Sequence, residues 1–225
     1  MLVSNDHKFI YLKTPKTAGT SMEMYLQPLC TADGVEVTHE TDEIVSDRGI
    51  VGFRGEKSLR PKKTVWRNHM SLMAILNRLP DAARDYALIA NVRNPFDRAV
   101  SYYRYTHRPG KAEPAPSFDA DMECFRAFLA GPTYSNYLPI LSLNGSVQSC
   151  HFLRFEHLET DIGALHAALN LPALPQPLQH VKQSVGPYVG RPIADYYDAT
   201  SRDRVLQEER WCFDKFQYSE DPREA

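Results

Sequence analysis

Residues 14–21, Thr14-Pro15-Lys16-Thr17-Ala18-Gly19-Thr20-Ser21, lie between the apolar run Phe9-Ile10-Tyr11-Leu12 and a stretch of helical spacing that begins at Met22. Backbone N–H groups at the start of a helix have no intrahelical partner, and the aligned peptide dipoles add about half a positive charge there, so such a junction attracts phosphate or sulfate. Gly19 would let the backbone approach an anion closely, Lys16 supplies a full charge, and Thr17, Thr20 and Ser21 offer hydroxyl donors. This composition fits an oxyanion cradle. It does not fit the ATP-binding loop G-x-x-x-x-G-K-[ST], because the only glycine follows Lys16 by three residues. A plain helix N-cap also accounts for Thr20 or Ser21.

A second junction has the same grammar. The run Tyr86 to Val92 meets the turn Arg93-Asn94-Pro95, in which Asn94 can cap a helix and Pro95 suits its first position. Phe96, Ala99, Val100 and Tyr103 then form an apolar stripe, with Asn94, Asp97, Arg98 and Ser101 on the other side. Arg93 and Ser101 can therefore face a second anion, the guanidinium offering a planar fork of donors. A structural ion pair is the other use of Arg93. Two anion-ready turns at the carboxyl ends of neighbouring parallel strands would suit a ligand with two separated phosphate groups.

The elements that must carry these turns repeat a pattern of apolar run, polar turn and helix. It occurs at Phe9–Leu12 with Met22, Tyr25, Leu26 and Leu29; at Tyr86–Val92 with the stripe above; and at Cys150–Phe155 with Ile162, Leu165 and Leu169. Strands alternating with helices imply an α/β fold with a central parallel sheet flanked by helices. Thr64-Val65-Trp66-Arg67 reads as a candidate further strand, leading through Asn68-His69 into a helix with Leu72, Ile75, Leu76 and Leu79 that Pro80 ends. Residues 108–118, with three prolines, read as an exposed loop, and Ser201 to Phe216 as a last helix with Val205, Cys212, Phe213 and Phe216 inward. A single domain over 1–225 accommodates all of this.

Composition narrows the function. Lys plus Arg number 26 against 28 acids, a net charge of -2, so no global positive field draws the chain to nucleic acid and any anion site is local. Cys30, Cys124, Cys150 and Cys212 form no C-x-x-C pair, which argues against a zinc site or a disulfide scaffold. The segment MLVSNDHKFIYL has no apolar core of signal-peptide length, and no stretch approaches 18 uncharged apolar residues. A soluble, cytoplasmic protein without an integral membrane segment is the expectation.

KFIYLKTPKTAGTSMEMYL resembles the 5'-phosphosulfate loop of sulfotransferases, in particular the heparan- and chondroitin-type carbohydrate group, sulfotransferase family 2, whose loop has the form P-K-T-x-x-T-S. LIANVRNPFDRAVSYYRY is similar to that family's 3'-phosphate site, an R-[DN]-P turn with a serine eight residues after the arginine. WRNHMSL resembles the segment carrying the family's catalytic histidine, and FLRFEHLETD a later strand and turn. The resemblance runs from Lys8 to about Tyr218 and is most specific in its first two motifs together.

The resemblance implies a P-loop-like three-layer fold and a 3'-phosphoadenosine 5'-phosphosulfate (PAPS)-dependent enzyme that moves a sulfuryl group in line to an acceptor hydroxyl, of a carbohydrate in this group, without a metal. Lys16 would meet the charge gained by the leaving phosphate, and His69 would take the acceptor's proton; a capping or core histidine is the bland alternative for His69. Lys16, Thr17, Ala18, Gly19, Thr20 and Ser21 carry over as the 5' cradle and Arg93 and Ser101 as 3'-phosphate ligands. HVKQSVGPYVGRP, residues 180–192, resembles the loop that closes over the nucleotide, which makes Lys182, Ser184 and Arg191 lesser candidates beside the reading of an ordinary Gly/Pro connection. Six basic residues in 54–67 lead to His69, either as an acceptor contact or as a solvated face. Tyr102, Tyr103, Tyr105, Tyr134 and Tyr137 offer rings for a sugar, or core. A nucleotide kinase or NTPase, or a non-catalytic nucleotide-binding protein of the same fold, are the competing readings.

Overall fold

The computed structural model describes the chain except for residues 108, 109, 133, 135, 175, 180 and 182–186. In chain order its elements are β1 (Leu2–Ser4), β2 (Phe9–Leu12), α1 (Gly19–Leu26), β3 (Ile44–Ser46), β4 (Gly49–Val51), α2 (Leu72–Leu76) and β5 (Ala87–Val92). There follow α3 (Pro95–Thr106), α4 (Phe118–Ala130), α5 (Leu138–Leu141), the two-residue strands β6 (Ser142–Leu143) and β7 (Ser146–Val147), β8 (His151–Arg154), α6 (Leu158–Leu169) and α7 (Ala199–Phe216). The chain divides into two compact units, Met1–Val92 with Tyr137–Lys182 and Arg93–Asn136 with Gln183–Ala225.

The first unit holds a six-stranded sheet of order β3-β4-β1-β2-β5-β8. One half matches the expected parallel arrangement: β2 pairs parallel with β5, Leu12 opposite Ala90, and β5 with β8, the edge strand, Val92 opposite Arg154. The other half departs from it, because β1 runs antiparallel to both β2 and β4, and β3 antiparallel to β4. Short turns explain the β1–β2 and β3–β4 pairs, since antiparallel neighbours need only a few linking residues whereas parallel ones need a crossover. Phe9, Tyr11, Leu2, Val51, Ile89 and Leu153 pack on Met22 and Leu26 of α1 and Ile162 and Leu165 of α6. Ile10, Leu12, Ala90 and Val92, of opposite parity, are fully buried too, as strands covered on both faces require.

Thr64–Arg67 is not a strand. Its N–H groups at Val65 and Trp66 go to the Glu43 carboxylate, at 3.0 and 2.7 Å, and a single bridge joins Phe53 to Arg67. A side chain has taken the donors that a ladder would need.

In the second unit α3, α4 and α7 enclose an aromatic core that includes Phe96, Tyr103, Phe125, Tyr196 and Phe213. Asn94 caps α3 by accepting from Phe96 N at 3.0 Å, with Pro95 in first position, as the sequence indicates. α7 buries Val205, Cys212 and Phe213, while Phe216 is half-exposed. Sequence spacing passes over α4, capped by Ser117 after the proline-rich loop.

Candidate functional site

The chain leaves β2 and is at once tied to β5. Thr14 Oγ1 donates to the Asn91 carbonyl at 2.6 Å and meets Thr17 Oγ1 at 2.7 Å, and Thr17 also approaches the Thr14 carbonyl at 3.1 Å. Both threonines are fully buried, so Thr17 braces the loop with its hydroxyl rather than offering it to a ligand. Lys16 and Ala18 then adopt left-handed backbone, φ 64° and 63°, at a cost of about 1–2 kcal/mol each for residues with a Cβ. Such strain persists where the surroundings impose it, often at functional sites.

Ala18 is the N-cap of α1, and among the described residues no side chain caps that helix. Thr20 and Ser21 lie inside its first turn, which removes the capping explanation for them. The first-turn N–H groups thus keep their capacity for an anion. Thr20 Oγ1 accepts from Lys13 Nζ at 3.1 Å, and Ser21 Oγ accepts from Val181 N at 3.3 Å. Gly19 has a purpose beside the one its sequence suggests: a Cβ there would lie 2.7 Å from Lys13 Cγ and 3.2 Å from Cε. The missing side chain makes room for the Lys13 stem. Asn91 Nδ2, on the strand that anchors the loop, is a buried donor with no hydrogen bond among the described residues.

Lys13 organises the interior beneath the turn. Its ammonium reaches Glu23 Oε2 at 2.6 Å, Thr20 Oγ1 at 3.1 Å and Asn68 Oδ1 at 3.3 Å. Glu23 has no solvent-accessible surface; it also accepts from the chain's amino terminus and lies 3.9 Å from Arg54 Nη1. Burial alone would push the Glu23 carboxyl up, but Lys13, the amino terminus and Arg54 outweigh it and hold its pKa at about 2.

His69 stands directly on this network. Its Nδ1 is 2.9 Å from the Lys13 carbonyl. A carbonyl only accepts, so Nδ1 carries the hydrogen and Nε2 of the neutral ring keeps its lone pair. Packing around the inward edge of the ring, then the Lys13 ammonium, lowers its pKa from the ordinary histidine value, although the residue as a whole is exposed. His69 also has left-handed backbone, φ 56°. It is neither cap nor core: Ser71 caps α2, accepting from Ala74 N at 3.2 Å.

In the second unit, Arg93 pairs with Asp97 of α3 through Nη2 at 2.6 Å and Nε at 2.8 Å. Asp97 and Ser101, four residues apart, share one face of the helix, and Ser101 is nearly buried. Arg98 does not lie on a solvated face as its spacing suggests. It is fully buried against Glu209 of α7, a partner 111 residues away. Arg191 is half-exposed, 3.9 Å from Asp195 and stacked over the Phe118 ring with its guanidinium 4.7 Å from the centroid. Lys182 and Ser184 lie outside the described residues.

The basic run divides. Arg54 is buried, donating to Gln27 Oε1 at 2.6 Å and to the Thr38 carbonyl, whereas Lys57, Lys62, Lys63 and Arg67 are exposed. Tyr103, Tyr134 and Tyr137 are buried, Tyr102 is half-buried and Tyr105 exposed. Among the described residues no group of three or more His, Cys, Asp or Glu could hold a metal, and no helix is long and apolar enough to cross a membrane.

Sequence reasoning missed Lys13, Glu23 and Asn68. The available signal was an opposite-charge pair placed where neighbouring residues are apolar: Lys13 directly after Phe9–Leu12, and Glu23 between Met22 and Met24.

No curated protein and no solved structure matches the chain. The model of the sulfotransferase family matches residues 1–210, nearly the whole chain and both turns described above. The chain belongs to the sulfotransferase family.

Proposed function

We propose that the protein transfers a sulfuryl group from 3'-phosphoadenosine 5'-phosphosulfate to a hydroxyl of a carbohydrate acceptor. Membership of the family supports sulfuryl transfer in general. The observation that carries the finer reading is the β2–α1 junction: a helix start with no side-chain cap among the described residues, reached through Lys16 and Ala18 in strained backbone, with a neutral histidine hydrogen-bonded to the same loop. A buried donor without a partner among the described residues, Asn91 Nδ2, on the strand that anchors this loop also suits a site completed by a ligand.

In this reading the first turn of α1 holds the 5'-phosphosulfate through the backbone of Ala18, Gly19, Thr20 and Ser21, with the Thr20 and Ser21 hydroxyls beside them. Thr17 contributes through its backbone and by bracing Thr14. Little covalent chemistry falls to the protein in such a displacement, which leaves positioning and charge stabilisation as its tasks. As the acceptor oxygen bonds to sulfur, the bridge from sulfur to the 5'-phosphate breaks and the bisphosphate leaves with an added negative charge. Lys16 meets that charge, a contribution of about 3–4 kcal/mol by analogy with a single oxyanion donor. His69 Nε2 takes the acceptor's proton, a role worth ~10²- to 10⁴-fold. Arg93 and Ser101 take the 3'-phosphate, Arg93 turning part of its fork away from Asp97, and Lys182, Ser184 and Arg191 are assigned to the same nucleotide on the family resemblance alone. The exposed cations of residues 57–67 are assigned to the acceptor.

The test begins with thermal unfolding in adenosine 3',5'-bisphosphate and in ATP with magnesium. The bisphosphate is expected to raise the melting temperature more, and an equal or reversed order would overturn the reading in favour of an ATP-binding protein. His69→Ala should retain bisphosphate affinity and lose transfer from labelled donor in a screen of carbohydrate acceptors. Unchanged turnover removes His69 from the mechanism.

A further inference from the structure

His69 carries two signs of being held rather than merely placed: left-handed backbone without glycine, and a ring nitrogen spent on a backbone carbonyl. Two of the contacts that hold this segment end on one residue. The Lys13 carbonyl takes His69 Nδ1 at 2.9 Å, and the Lys13 ammonium takes the side chain of the preceding Asn68 at 3.3 Å. The same ammonium reaches Thr20 in the first turn of α1, and Glu23 fixes it from below at 2.6 Å. Gly19 gives up its side chain to let the Lys13 stem pass, with Cγ where a Cβ would come within 2.7 Å.

We propose that Lys13 is a positioning residue for the transfer reaction, locking the phosphosulfate cradle and the His69 base into one unit. This rests on the sulfuryl-transfer reading of the site. The ammonium is spent on Glu23, Thr20 and Asn68, which distinguishes its task from that assigned to Lys16. Its carbonyl selects the tautomer that leaves Nε2 as acceptor, and its hold on Asn68 keeps the strained segment from relaxing. A base displaced by about 1 Å loses on the order of 10²-fold in rate, so a lock of this kind matters even though Lys13 touches no reacting atom.

Lys13→Met would strand the Glu23 carboxylate in the interior and puts folding itself at risk, so the decisive variants are at Asn68, which is half-buried and outside the ion pair. In the ligand-free wild type, ¹⁵N spectra of the imidazole should show the Nδ1-protonated tautomer for His69. Its titration should lie below the ordinary histidine value, because burial of the ring, the Lys13 ammonium and the amino terminus outweigh the opposing pull of the Lys13 carbonyl and Glu23. In Asn68→Ala the two tautomers should mix, and kcat should fall about tenfold or more with the donor KM within about twofold. Asn68→Asp, which still accepts from the ammonium, should restore the tautomer and most of kcat. Wild-type tautomer populations in Asn68→Ala, or a changed tautomer with unchanged kcat, would overturn the proposal. A wild type that neither binds the bisphosphate nor transfers a sulfuryl group overturns the function assigned to the site instead, and the tautomer measurement tells the two failures apart.

Discussion

Glu23 is the residue on which the interior of the site balances. A carboxylate with no solvent access is tolerable here because three cationic groups face it: Lys13, the amino terminus and Arg54. Removing one member of a buried charged set leaves the others without compensation, so Glu23→Gln should destabilise the protein by about 3–5 kcal/mol in denaturant unfolding. The pH dependence has a definite sign. The folded-state pKa, about 2, lies below the ordinary glutamate value of 4.5, so the stabilisation is complete above that value and disappears as pH falls from it through about 2. Glu23→Gln should therefore flatten the acid limb of the stability curve as well as lower it. An acid limb as steep as that of the wild type would show that Glu23 is not responsible.

At the scale of elements, the starts of α1 and α3 make contrasting demands. Gly19→Ala improves helix propensity by at most about 1 kcal/mol. The new Cβ would meet a lysine stem anchored at its far end, and overpacking of this kind costs about 1–3 kcal/mol, so the clash wins and stability should fall. A stability gain in unfolding measurements would mean that the Lys13 stem moves aside freely. At α3, the Arg93–Asp97 pair lies at the start of the helix and is worth about 1 kcal/mol or less. Arg93→Ala should leave stability nearly unchanged while weakening adenosine 3',5'-bisphosphate by about tenfold or more, a charge-assisted hydrogen bond being worth about 1.5–3 kcal/mol, and leaving AMP binding unaffected. Equal losses for the two nucleotides by calorimetry would remove Arg93 from the 3'-phosphate. Spacing alone locates both helix starts, through the apolar stripes and the Asn94-Pro95 pair. It does not locate the burial of Arg98, because Glu209 is 111 residues distant.

For the whole molecule, each compact unit is assembled from two separate stretches of chain, and the family match runs through both units without interruption. We read residues 1–225 as one functional module on that basis. A fragment of residues 1–136 lacks β8 and α6, and with them the Leu153, Ile162 and Leu165 side chains that cover Tyr11 and Ile89. It should show no cooperative unfolding transition, and a sharp transition near that of the full chain would refute the dependence. By itself the sequence determined the strand–turn–helix junctions at 14–21 and 93–95, the parallel trio β2, β5 and β8 with helices α1, α3, α6 and α7, and the family. Those features are written in local periodicity and in motifs a few residues long. Only the tertiary structure decided the antiparallel half of the sheet, whose strands of three residues are too short to show a period. It also decided that Gly19 yields space to Lys13, and that Lys13, Glu23 and Asn68 meet under His69. Contacts between residues 10 and 55 positions apart depend on where the sheet brings the chain back, which no local pattern encodes.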